Sequence, residues 1–169
     1  MALQYISNQE DLKHILFHDY QIIKTMLSPQ SNKIKLLSTL FSINPNNWCV
    51  IGITPAALAV FEQHQFEKKS GMGINRSHLT QRHSFYDFLL SNEIQSANEF
   101  WELYIQNDKT ILATSSENMS KDATFISEYL EVPRDQRNLF QTAGFAWKHK
   151  EEEINFLKEL AIQQRFSTK

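Results

Sequence analysis

From Asn8 the apolar positions Leu12, Ile15, Leu16, Ile23, Met26 and Leu27 recur at the three-to-four-residue spacing of a helix. Asn8 stands where an N-cap belongs, and Glu10 and Asp11 suit the positive end of the helix that follows. This helix is predicted to end at Ser28-Pro29-Gln30-Ser31, because Pro29 disfavours helical geometry in the residue before it. Ile34, Leu36, Leu37, Leu40 and Phe41 predict a shorter second helix, closed by the loop Asn44-Pro45-Asn46-Asn47.

The pattern then changes period. Trp48 to Ile53 is a short apolar run with β-branched residues between two turn signals, which predicts a buried strand. Thr54 suits an N-cap and Pro55 a first helical position, where no amide hydrogen is required, so a helix carrying Ala57, Leu58 and Phe61 is expected to about Gln65. Phe85, Tyr86, Phe88, Leu89 and Leu90 predict an aromatic helical segment. Ser96 is placed to cap another, with Phe100, Trp101, Leu103 and Tyr104. The turn Asn107-Asp108-Lys109 leads into a second predicted strand, Thr110 to Thr114, able to pair with the first, and Ser115 to Asn118 reads as a cap or loop. Lys121 to Val132 fits helix or strand equally, Pro133 closes it, and Arg134 to Phe140 is long enough for a helical turn. Glu151, Glu152 and Glu153 open a last helix with Ile154, Leu157, Leu160 and Ala161 on its apolar face, before a fraying tail.

Only four Gly and four Pro in 169 residues argue against a turn-rich sandwich or barrel, while 12 Phe and 3 Trp supply bulky core side chains. The fold class that follows is α+β, a mostly helical single domain with a small β-sheet, spanning residues 1–169. Cys49 is the sole cysteine, so no intrachain disulfide forms and a reducing compartment is expected. The amino terminus lacks a basic segment followed by an apolar run, and no stretch reaches membrane-spanning length; the expected setting is cytoplasmic, with no membrane partner.

The net charge of −2 excludes a strongly basic nucleic-acid coat but leaves room for a local patch. The densest one is Gly71-Met72-Gly73-Ile74-Asn75-Arg76-Ser77-His78-Leu79-Thr80-Gln81-Arg82-His83. Guanidinium groups bind phosphate oxygens in pairs, and imidazole moves protons near neutral pH. If the segment opened a helix, His78 and Arg82 would share a face. The sharpest expectation is therefore a nucleic-acid-acting protein of nuclease type. In it His78 is general base or metal ligand, Arg76 and Arg82 hold phosphate, Gln81, His83 and Asn118 add contacts, and Glu102 or Glu117 supplies the acid. A divalent cation, Mg²⁺ or Mn²⁺, would suit that chemistry, although no Cys-x-x-Cys or His-Glu-x-x-His defines a site. The i,i+4 pair His14 and His18 has no third ligand near it in sequence.

Three other readings stand beside this one. The cluster is equally a solvated helix start, paired with Glu62, Glu67 or Asp87. A DNA-binding module without catalysis would use residues 77–90 as a recognition helix, with Arg76, His78, Gln81 and Arg82 at the major groove. An interaction or regulatory domain would instead use aromatic surface from Phe140, Phe145, Trp147, Phe156 and the Phe85-Tyr86-Phe88 run. Convergence of Glu102, Asp108 or Glu117 on His78 would favour catalysis, and a face of basic and amide groups alone would favour binding.

Overall fold

The computed structural model describes residues 9–42, 44, 48–67, 69–119, 128–134 and 151–167. Among the described residues there are seven helices and one four-stranded mixed sheet, a mostly helical α+β arrangement. The chain gathers into two compact units that interleave in sequence. One takes Met1–Asn47 and Thr80–Asp108, the other Trp48–Leu79 and Lys109–Lys169.

The first unit is helical: α1 (Gln9–Thr25), α2 (Gln30–Phe41), α4 (Arg82–Ser91) and α5 (Ala97–Asn107). Their apolar stripes meet in one core, where Leu16, Tyr20, Leu37, Phe41, Leu89 and Phe100 are buried. Aromatic rings fill much of it: Phe41 stacks on Tyr104 at 4.6 Å between centroids, and Tyr20 on Phe100 at 4.9 Å. Ser96 caps α5 by accepting from Glu99 N–H, as its sequence position foretells. Tyr104 is buried among these rings with its hydroxyl accepting from Asn44 Nδ2 (2.9 Å) and pointing to Asp108 Oδ2 (3.4 Å). Burial, then the nearby Asp108 charge, pushes the Tyr104 phenol well above its ordinary pKa.

The second unit holds the sheet, in the order β2-β3-β1-β4, from β1 (Cys49–Ile53), β2 (Ile74–His78), β3 (Lys109–Thr114) and β4 (Leu130–Glu131). Strand β1 pairs with β3, as the two apolar runs allow, and the pairing is parallel, with an irregularity between Val50 and Gly52. Strands β2 and β4 pair antiparallel with β3 and β1. Helices α3 (Pro55–Gln63) and α7 (Glu151–Ser167) pack together, and Val50, Ile53, Leu58, Phe61, Leu112 and Leu157 are buried in this unit's core. Thr54 caps α3 through its hydroxyl, with Pro55 at the first helical position. Gly52 is required at its place: a Cβ there would lie 2.2 Å from Cδ2 of Tyr129.

Two expectations need correction. Residues 74–78 are strand, not the start of a helix, and the helix that follows begins only at Arg82. A recognition helix over 77–90 is therefore replaced by a strand end, a three-residue link and α4. The cause is tertiary: Ile74 to His78 take extended geometry by pairing with Thr114 to Thr110 of β3. Helix α3 also stops at Gln63, two residues early, because the chain turns through Gln65 and Phe66 at positive φ.

Candidate functional site

Strand β2 carries Arg76 and His78 two positions apart, so both side chains leave the same face of the sheet about 7 Å from one another. Both are half-buried, and Nε of Arg76 and Nε2 of His78 are shielded from solvent. The indole of Trp48 meets the His78 imidazole edge-on, 5.1 Å between centroids at 79°. Trp48 is held there by Thr110, the cross-strand partner of His78. The fully buried Thr110 hydroxyl contacts the carbonyls of Trp48 (3.0 Å) and Cys49 (3.2 Å) and braces a backbone at φ 60°.

The opposite face of β2 carries Asn75 and Ser77, which meet the short helix α6 (Ser115–Met119). Ser77 Oγ donates to Asn118 Oδ1 (2.7 Å), and Asn75 Nδ2 donates to Ser115 Oγ (2.9 Å). Ser115 in turn donates through its amide and its hydroxyl to the carbonyl of Gly73. Gly73 has φ +66°, a conformation that its missing side chain permits. Asn118 is thus tied to β2 beside Arg76 and His78, on the other side of the strand.

Glu117 is engaged in folding. Its Oε2 accepts from Thr114 N–H (2.8 Å), from the Thr114 hydroxyl (2.8 Å) and from the Thr54 hydroxyl (2.9 Å), while Glu117 N–H reaches back to Thr114 Oγ1 (3.3 Å). Thr114-Ser115-Ser116-Glu117 is a capping box, with Thr114 as N-cap and Glu117 three positions on. The Thr-x-x-Glu spacing was the signal for this role. The added bond from buried Thr54 joins the cap of α3 to the cap of α6, and spacing alone does not reveal that.

The remaining predicted residues belong to the helical unit. Gln81 is the exposed N-cap position of α4, without a side-chain capping bond. Arg82 opens α4 half-buried, and its guanidinium lies against the Tyr86 hydroxyl, where its charge partly offsets the upward push that burial gives that phenol. His83 pairs with Asp87 (Nε2 to Oδ2, 3.2 Å), the surface pairing weighed for this cluster, and Gln30 donates to the other oxygen of Asp87. Glu102 is exposed on α5, and Asp108 closes that helix. So β2 brings Arg76 and His78 together and α6 brings Glu117 and Asn118 to the same unit, while Gln81, Arg82, His83 and Glu102 form part of the other.

Among the described residues no group of three or more His, Cys, Asp or Glu is placed to hold a metal ion, and His14 and His18 are exposed on α1. None of the described helices is long and apolar enough to cross a membrane. Phe85 and Tyr86 are core and Phe88 is exposed, whereas Phe140, Phe145, Trp147 and His149 lie outside the described residues. No protein-family model, curated protein or solved structure matches the chain.

Proposed function

We propose that the protein acts on nucleic acid by holding a phosphate backbone along β2. Arg76 makes the phosphate contact, and the His78 and Trp48 rings provide an aromatic surface for a base or sugar. The observation that carries this reading is the placement of Arg76 and His78 on one face of a strand, with the Trp48 indole edge-on to the imidazole. Because Arg76 Nε and His78 Nε2 are shielded, the ligand meets Arg76 through its terminal nitrogens and His78 through Nδ1 or the ring. Glu117, one of the acids expected to serve His78, is held by three donors on one oxygen, and this favours binding over cleavage. The lone Cys49 thiol supports a reducing, cytoplasmic setting for this activity.

The test is retention of labelled single- and double-stranded DNA and RNA by the full chain across a salt series, with and without Mg²⁺ or Mn²⁺. Wild type is expected to retain at least one of the four in a salt-sensitive manner. Arg76→Ala should weaken retention about tenfold and lower the salt slope by roughly one. No retention of any of the four refutes the proposal. Cleavage products that disappear in His78→Ala would instead assign His78 the catalytic role.

A further inference from the structure

The five side chains of β2 divide between its two faces, and the division bears on which form of nucleic acid the strand receives. Asn75 and Ser77 carry the amide and hydroxyl groups suited to reading base edges. Both lie on the face toward α6 and are hydrogen-bonded there, to Ser115 Oγ (2.9 Å) and Asn118 Oδ1 (2.7 Å). On the other face Ile74 is buried in the core, and Arg76 and His78 follow it half-buried. The strand therefore meets a ligand with one guanidinium and one imidazole, beside the indole of Trp48.

Shape, charge and ring geometry then separate single strands from duplexes. The major groove of a duplex admits a helix or a two-stranded ribbon. Residues 74–78 are not helical, and β3 is paired on both sides, with β2 and with β1, so the β2–β3 pair is no free ribbon. A duplex held by its backbone alone draws on several cationic contacts at once, whereas β2 gives one guanidinium in a chain of net charge −2. The His78 and Trp48 rings present two surfaces nearly at right angles, and the buried Thr110 hydroxyl, bonded to the Trp48 carbonyl (3.0 Å), holds that corner in place. Stacking on such rings needs a base whose face its neighbours do not cover, which a single strand offers and a duplex does not.

We infer that the ligand is a single-stranded nucleic acid, taken by stacking of an unpaired base on the Trp48–His78 pair with Arg76 on the adjoining phosphate, and with little discrimination among bases. This rests on β2 being the phosphate-backbone site proposed above. Base identity goes unread because every base has a π-face to stack, while the side chains able to read base edges are engaged by α6.

The test is fluorescence anisotropy of a labelled oligonucleotide, as DNA and as RNA, titrated with the full chain. Each is used alone and annealed to its complement, and the DNA also as an abasic strand with the same phosphates. The single strand of at least one sugar is expected to bind at least about tenfold tighter than its own duplex, and the abasic strand at least about tenfold more weakly than the strand with bases. Trp48→Leu, with its circular dichroism unchanged, should remove the preference, whereas Arg76→Ala should weaken single strand and duplex alike and keep it. Equal or tighter binding of both duplexes overturns the inference. So does an abasic strand bound as tightly as the intact one, or a preference that Trp48→Leu leaves in place. Runs of A, C and T that differ by more than about tenfold would mark base-edge reading and overturn the lack of discrimination. Any of these results with salt-sensitive retention still present spares β2 as a backbone site, and no retention of any form refutes both. The abasic comparison uses the wild-type chain, so it decides the matter even where Trp48→Leu does not fold.

Discussion

Replacing Glu117 by Ala separates a folding role from a catalytic one. The substitution removes the acceptor of three hydrogen bonds, two from Thr114 and one from the fully buried Thr54 hydroxyl. Loss of a helix cap costs about 1 kcal/mol, and a buried hydroxyl left without its acceptor adds about 1 to 3 kcal/mol. The sum is about 3 kcal/mol, a substantial share of the roughly 5 to 15 kcal/mol by which a typical domain is stable. For a chain of this length that corresponds to a fall in melting temperature of roughly 6 to 12 °C. Urea unfolding of Glu117→Ala and Glu117→Gln against wild type measures it. The Gln variant keeps one acceptor oxygen and should lose about half as much. A catalytic carboxylate with no part in folding would behave otherwise: Glu117→Ala within about 0.5 kcal/mol of wild type would refute the capping argument.

Three other perturbations test the packing. Gly52→Ala drives a methyl into the Tyr129 ring and should cost about 1 to 3 kcal/mol by urea unfolding, with most of the loss recovered when Tyr129→Ala is added. Tyr104→Phe removes one hydrogen bond of the buried Asn44 amide and should cost about 1 to 2 kcal/mol at neutral pH, read from the same curves. Tyr20, Tyr86 and Tyr104 all have phenol pKa values raised chiefly by burial in the native state. The unfolded chain therefore ionises them first. The stability they confer is fully present below pH about 10 and declines as pH rises from there toward the native-state values. Unfolding midpoints should fall above pH about 10 in wild type and fall less in Tyr104→Phe; a parallel decline in both would contradict the assignment.

What the sequence discloses is what local periodicity and capping encode. The strand at Cys49–Ile53, the Thr54-Pro55 helix start, the Ser96 cap and the strand at Lys109–Thr114 all stand on residues whose own preferences agree with their final geometry. Strand β2 does not: Ile74-Asn75-Arg76-Ser77-His78 has one apolar residue in five, and only its pairing with β3 makes it extended. The charged cluster was visible as a cluster, but its geometry was hidden with that strand. Arg76 and His78 separate from Arg82 and His83 where the chain passes from one compact unit to the other, and such long-range contacts leave no trace in spacing. Strand β4, two residues long before Pro133, is too short for any periodicity to register.

The order of the sheet also dictates an order of assembly. Strands β1 and β2 are made early in the chain, yet neither pairs with the other; each finds its ladder on β3, which follows some thirty residues after β2 ends. In between come α4 and α5, the helices that complete the core begun by α1 and α2. On a growing chain the helical unit therefore has all its helices before the sheet can start, while Val50, Ile51 and Ile53 wait with no strand beside them. During that interval the apolar strand β1 has no partner, and an unpaired apolar strand is open to aggregation.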